Sequence, residues 1–304
     1  MFKAIRDFLV LSNIWIGLAA ATLTIANNQI ILCMDTQLYS YAAMVYAFTV
    51  ACYSWIRYVG IREISKENTS ASLQKLSTYK LPFLLWSIAH TVIGFVLLAQ
   101  QSMPRIVLVG IAGVLGFFYL LPIRNAQNIN SGIRRIPFLK IGIVALAWTL
   151  ICGVGAYAVS FPILVRPQDI AVVIFTFLFI YGLTFAFDIR DISWDKNQHL
   201  KTMASSIGIE KAKRFSIWIL VVYLLAGFAL YVYIPCYANY KDFFASYRLA
   251  SYVAVLFGGI GSILIIKDLK EDSPEHYYGF GLDGMIIIQS VVSALVLNFD
   301  RFFP

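Results

Sequence analysis

Nine long apolar runs recur along this chain, at approximately 8–26, 38–56, 81–100, 104–122, 137–158, 169–187, 214–235, 248–267 and 283–300. A bilayer core about 30 Å thick is crossed by a helix of about 20 apolar residues. Inside it, backbone N–H and C=O groups must pair within their own segment, which makes each run a helix. The 304 residues are 60% hydrophobic and only 13% charged, and the mean hydropathy is +0.76. These values exclude a soluble enzyme, a disordered tail and a collagenous chain. The first run has polar flanks and is followed by further spans, so it does not read as a cleaved signal peptide. Pro82, Pro104, Pro137 and Pro235 stand at span ends, where a missing N–H costs least.

The basic residues set the orientation. With the N-terminus inside, nineteen Lys and Arg fall on the cytoplasmic side and five, Arg105, Arg166, Lys241, Arg248 and Arg301, on the other. That bias predicts a cytoplasmic N-terminus and an outer C-terminus. It also accounts for the net charge of +8 without invoking nucleic acid. The longest polar stretches, about 57–80 and 188–213, are cytoplasmic loops, and residues 1–304 form a single polytopic unit. The four cysteines show no CxxC spacing and the three histidines lie far apart, so neither set frames a metal site. Cys52 and Cys152 read as packing residues. Gly110, Gly113 and Gly116, then Gly153 and Gly155, then Gly258, Gly259 and Gly261, read as sites of close helix packing.

The stretch Phe187-Asp188-Ile189-Arg190-Asp191-Ile192-Ser193-Trp194-Asp195-Lys196 leaves an apolar run directly. Asp188, Asp191 and Asp195 stand at i, i+3 and i+7, one face of a helix. Three carboxylates so close repel one another, and a divalent cation relieves the repulsion. Hard carboxylate oxygens suit Mg²⁺, which is commonly held by one or two carboxylates plus substrate phosphates. The same three residues also fit a solvated acidic helix end neutralised by Arg190, Lys196 and Lys201. A carboxylate at the end of a membrane helix costs less than one at its centre, so position alone does not decide.

The continuation to Lys201-Thr202 and Gly208 resembles the second aspartate motif of the UbiA prenyltransferase superfamily. Tyr119-Leu120-Leu121-Pro122-Ile123-Arg124, with Gly132, Pro137 and Lys140, is similar to the stretch that follows that family's fourth span. The resemblance implies an all-α membrane fold of nine helices around a central cavity, with two aspartate-rich loops facing each other. It implies Mg²⁺ ions that hold a prenyl diphosphate, whose allylic carbon alkylates a lipid-soluble or aromatic acceptor. Carried over by position, Asp188, Asp191 and Asp195 are the metal ligands, Asp191 a catalytic residue, and Arg124 and Lys201 the diphosphate contacts. Tyr119, Tyr181 and Phe185 would line the isoprenoid cavity, although aromatic residues also serve as plain packing.

The first aspartate motif departs from the family. Arg62-Glu63-Ile64-Ser65-Lys66-Glu67-Asn68 keeps its frame, but Arg57, Tyr58, Ile61 and Ser65 occupy its Asn and three Asp positions. Glu63 and Glu67 remain. A guanidinium binds phosphate without a metal, so Arg57 is a catalytic and diphosphate-binding candidate. It is equally placed to pair with Asp188 or Asp191 and close the site. The primary reading is a divergent, one-metal intramembrane prenyltransferase in a bacterial inner membrane. The alternative is an inactive relative that acts as a lipid-binding or scaffold subunit of a membrane complex. A third reading is a metal-independent enzyme that protonates an olefin from Glu63 or Glu67. The expected partners are the bilayer, a prenyl diphosphate or other isoprenoid lipid, and other membrane subunits.

Overall fold

Long apolar runs become helices throughout the structure, a computed structural model that describes residues 2–30, 35–62, 80–120, 137–160, 163, 165–192, 203–233, 241–270 and 273–297. The helices are α1 (Phe2–Leu11), α2 (Ile14–Ile30), α3 (Leu38–Arg62), α4 (Lys80–Leu98), α5 (Met103–Leu120), α6 (Pro137–Trp148), α7 (Pro167–Arg190), α8 (Met203–Ile207), α9 (Ile209–Tyr233), α10 (Lys241–Lys267) and α11 (Asp283–Leu297). The described residues contain no strand.

Neighbours in the chain pack on one another. α2 lies against α3, α3 against α4, α5 against α6, α6 against α7, α7 against α9, α9 against α10 and α10 against α11. α11 then returns to α2, which joins the two ends of the chain. Leu23, Met44, Cys152, Phe179, Leu183, Leu220 and Tyr223 form the shared core. Leu81, Leu85, Val92, Phe95 and Val96 of α4 are exposed, as suits a face turned to lipid.

Among the described residues, five helical segments are long and apolar enough to cross a membrane: Lys80–Leu98, Leu139–Ala156, Asp169–Arg190, Ile209–Ala229 and Tyr277–Val296. A sixth is added if α1 and α2 form one span with a 73° bend. The chain is a multi-pass integral membrane protein. The described residues of the runs at 38–56, 104–122 and 248–267 are helical but fall short of that measure. α3 is diluted by Tyr39, Tyr41, Tyr46 and Tyr53, and the apolar parts Met103–Phe117 and Tyr252–Lys267 are short.

The bend between α1 and α2 falls at Ser12 and Asn13. Asn13 adopts a left-handed φ of 61°, which asparagine tolerates better than most residues. Its side-chain amide donates to Ser54 Oγ at 3.0 Å. The carbonyls freed at the break are taken by neighbouring helices. Arg57 Nη1 donates to Leu11 O at 3.1 Å, and Trp86 Nε1 to Ser12 O at 3.1 Å. α1 exposes Phe2, Ile5 and Phe8.

α6 does not run straight to its end. It passes into a π turn, Thr149–Gly153, and then a 3₁₀ turn, Val154–Ala156. Such turns release carbonyls from the regular ladder. Tyr41 Oη donates to Ile151 O at 2.7 Å and Asn27 Nδ2 to Cys152 O at 2.9 Å. Arg105 Nε donates to Gly155 O at 2.9 Å and Asn28 Nδ2 to Ala156 O at 2.7 Å. Gly155 has no side chain because Tyr41 leaves no room for a β-carbon. Arg105, counted on the outer side from sequence, is fully buried in the first turn of α5. It pairs with Asp35 at 2.6 Å and lies over the Tyr41 ring.

Two other expectations meet mixed outcomes. Cys152 is buried, but Cys52 is exposed. Gly258, Gly259 and Gly261 meet Gln289, Leu224 and Met285 closely, whereas Gly110, Gly113 and Gly116 have open space around them, among the described residues. They lie beside the exposed Ile111 and Val114 on the outer side of α5.

The Arg105–Asp35 pair yields a test. Removing one partner of a buried pair strands the other's charge, at a cost of about 3–5 kcal/mol. Asp35→Ala is expected to lower the thermal midpoint of the detergent-solubilised protein by many degrees. The apolar double exchange Arg105→Met/Asp35→Leu is expected to recover most of that loss.

Candidate functional site

Three stretches of chain deliver the charged groups at one end of the bundle. α7 ends at Arg190, placing Asp188 in its last turn and Asp191 at its C-cap. Pro137 opens α6, where its fixed φ suits the first helical position, and Lys140 follows one turn in. Gly208 takes a φ of +87° between α8 and α9. That conformation favours glycine, and it turns the short α8 back beside α7. Ile189 of α7 and Ile192 just past its end then pack with Ala204 and Ala212.

Asp188 is deeply enclosed, its side chain only 1% exposed. Both oxygens are engaged. Lys140 Nζ donates to Oδ1 at 2.9 Å and the Ala204 amide donates to Oδ2 at 2.9 Å. Lys140 is itself buried, and its ammonium also approaches Asp191 Oδ2 at 3.6 Å. Asp191 is more open and accepts from Arg190 Nε at 3.0 Å. The Arg190 guanidinium lies 5.1 Å from the Phe187 ring centre, within range of a cation–π contact.

Arg57 stands apart from these aspartates. Besides Leu11 O, its partner is Glu275, at 3.6 Å. Of the roles open to it from sequence, the bridge to Asp188 or Asp191 does not form. The backbone break after α1 and the acidic residue before α11 take its guanidinium instead. Arg57, Arg190, Glu275 and the buried Asp283 lie within electrostatic reach of one another. This end of the bundle thus carries two linked charge groups: Lys140 with Asp188 and Asp191, and Arg57 with Arg190, Glu275 and Asp283.

Sequence singled out Asp188, Asp191 and Arg57, and the first two do converge. Asp195, Arg124 and Lys201 lie outside the described residues, as do Glu63 and Glu67. Glu275 and Asp283 were not singled out. Asp283 marked the expected start of the last run, but a π turn over Tyr277–Leu282 lengthens that helix and draws Asp283 inside it. An ionisable residue within a span was the available signal. Phe185 and Tyr181 meet edge to face, with ring centres 5.3 Å apart, and Phe185 is fully packed against Ile141 and Met203.

The donor set suits a hard cation in kind. Two carboxylates three residues apart suffice for Mg²⁺ when phosphate oxygens and water complete its shell. Among the described residues no group of three metal-ligating side chains forms. Lys140 currently occupies the carboxylate oxygens such an ion would take.

The UbiA prenyltransferase family model matches residues 81–276, and the chain belongs to that family. Solved structures share its fold. A UbiA homolog from Archaeoglobus fulgidus bound to GPP and Mg²⁺ is 14% identical, with a TM-score of 0.61, over 96% of this chain and 99% of its own. The homolog from the same organism bound to DMAPP and Mg²⁺ gives 12% identity and a TM-score of 0.62 over the same shares. A structure of digeranylgeranylglyceryl phosphate synthase in membranes gives 14% and 0.51, over 97% of this chain and 98% of that one. No curated protein matches the chain by sequence.

The two ion pairs are expected to differ in strength. A double-mutant cycle on stability is expected to give a coupling of about 3 kcal/mol for Lys140–Asp188, which is buried. For Arg57–Glu275, which is longer and partly exposed, a coupling below about 1 kcal/mol is expected.

Proposed function

We propose that this protein is an intramembrane prenyltransferase that binds a prenyl diphosphate where Lys140, Asp188, Arg190 and Asp191 meet. It transfers the isoprenoid to a lipid-soluble or aromatic acceptor. The observation that carries this reading is the convergence of both described second-motif aspartates with a buried lysine, in a chain of this family. The relatives solved with GPP and DMAPP also hold Mg²⁺. In this reading Asp188 and Asp191, joined by Asp195, hold one Mg²⁺, and Arg124 and Lys201 reach the diphosphate. The chain forms one polytopic unit over 1–304, with nine crossings around a cavity. Its N-terminus is cytoplasmic and its membrane the bacterial inner one, on the strength of the basic-residue bias.

The protein's own groups have defined tasks. The Ala204 amide holds Asp188 in place. Lys140 and Arg190 offer N–H donors to a leaving diphosphate, whose growing charge they stabilise. The allylic C–O bond breaks with its electron pair on the diphosphate. The acceptor bonds to the allylic carbon and, if aromatic, then loses a proton. Bound Mg²⁺ would add Lewis-acid stabilisation of the same leaving group. Arg57 contributes by position, fixing the end of α1 and Glu275 beside the site.

A second reading has its own support. The charges at this end are already matched within the chain, Lys140 to Asp188, Arg190 to Asp191 and Arg57 to Glu275. A relative that only binds isoprenoid lipid or scaffolds a membrane complex has no need of more.

Radiolabelled prenyl diphosphates of several chain lengths, offered to purified protein with candidate acceptors, separate the two. Mg²⁺-dependent binding and turnover are expected, with Asp191→Asn lowering turnover at least about a hundredfold, the scale of losing a main electrostatic group. Full activity in Asp191→Asn sinks the assigned site. Absence of turnover with every diphosphate, together with a stably co-purifying subunit, selects the second reading.

A further inference from the structure

The position of Lys140 has a consequence for how this site fills, one that rests on the prenyltransferase reading. Its ammonium is 2.9 Å from Asp188 Oδ1 and 3.6 Å from Asp191 Oδ2. A Mg²⁺ ion binds carboxylate oxygen at about 2.0–2.1 Å. With Lys140 in place, a dication on these oxygens would sit within a few ångströms of a fixed positive charge. Like charges that close repel strongly, more so away from bulk water, and a dication doubles the effect of a single charge. Lysine and metal therefore compete for the same oxygens.

The cost of displacement falls on the lysine. Its side chain is only 8% exposed, so an ammonium leaving Asp188 does not simply enter water. It needs another anion within the reach of its flexible stem, and an unpaired buried charge is strongly unfavourable. Asp188 is fixed meanwhile by the Ala204 amide and does not follow. The anion that arrives with the metal is the diphosphate itself.

We infer that Lys140 is a resident counter-cation that Mg²⁺ must displace from Asp188 and Asp191. The displaced ammonium passes to the prenyl diphosphate, so metal and diphosphate bind together and each binds weakly alone. Such coupling is reciprocal, each ligand raising the other's affinity by the same factor. In the empty protein the pair keeps the carboxylates charge-balanced and closed to stray divalent ions.

The test is Mn²⁺ binding followed by electron paramagnetic resonance on the full-length protein in detergent, with and without saturating inorganic diphosphate. For the wild type, weak binding of Mn²⁺ alone is expected, tightening at least tenfold with diphosphate. Lys140→Gln keeps a hydrogen-bond donor without the charge. It is expected to tighten diphosphate-free Mn²⁺ binding at least tenfold and to remove most of the coupling. Lys140→Arg should behave like the wild type, and Asp188→Asn should abolish Mn²⁺ binding. If Lys140→Gln leaves diphosphate-free Mn²⁺ affinity unchanged or weaker while Asp188→Asn abolishes it, the metal site stands and the displacement idea falls. If the wild type binds no Mn²⁺ under either condition, the metal–diphosphate reading fails and takes the inference with it. A measurement without variants guards against misfolding. Acylation of Lys140 by a small anhydride, read peptide by peptide by mass spectrometry, should rise with saturating Mn²⁺ alone and fall when diphosphate is added. Labelling that ignores the metal overturns the proposal.

Discussion

A charged or polar group buried in a membrane protein has no water to fall back on, and that constraint organises this molecule from one end to the other. Each unsatisfied backbone group at membrane depth costs several kcal/mol. The π turn at the end of α6 illustrates the response. Four carbonyls leave the regular ladder, and four side chains from α2, α3 and α5 meet them. Arg105 is brought in for one of these contacts, and Asp35 and the Tyr41 ring accommodate its charge. Helix packing at that end thus rests on polar bonds as much as on apolar contact.

The opposite end obeys the same rule with different chemistry. A carboxylate as enclosed as Asp188 needs a cation and donors at hydrogen-bond distance, and Lys140 and the Ala204 amide supply them. This pairing ties α6, α7 and α8 into one corner. It also means that any ligand of Asp188 must replace an existing partner. Structural and functional demands on the residue are therefore inseparable, which is why a disturbed corner is expected from exchanges at either Lys140 or Asp188.

Much of the helical architecture was legible because apolar run length and bilayer thickness share one scale. The runs at 81–100 and 169–187 fall on Lys80–Leu98 and Asp169–Arg190. Asp188 and Asp191 were legible because helical spacing places i and i+3 together. What sequence did not reveal was partnership across long separations. Asn27 meets Cys152 and Thr176, 125 and 149 residues away, and no local pattern encodes that choice. Arg105 was counted on the outer side as a charge, and nothing near it in the sequence points to Asp35, 70 residues away. Arg57 was aligned to a ligand position, yet its partner depends on where α1 ends and α11 begins. Asp283 was misplaced for a geometric reason, since a π turn adds residues ahead of the expected helix start.

The dual attachment of Arg57 also restricts which sequences can be reached from this one. Its guanidinium holds both the last carbonyl of α1 and the carboxylate of Glu275. Restoring a neutral asparagine at 57, as the resemblance to the two-motif family would require, would release both at once. The benefit of the restored motif would come only after carboxylates had also returned at Tyr58, Ile61 and Ser65. Position 57 thus carries a structural duty of its own, which any exchange there would have to meet.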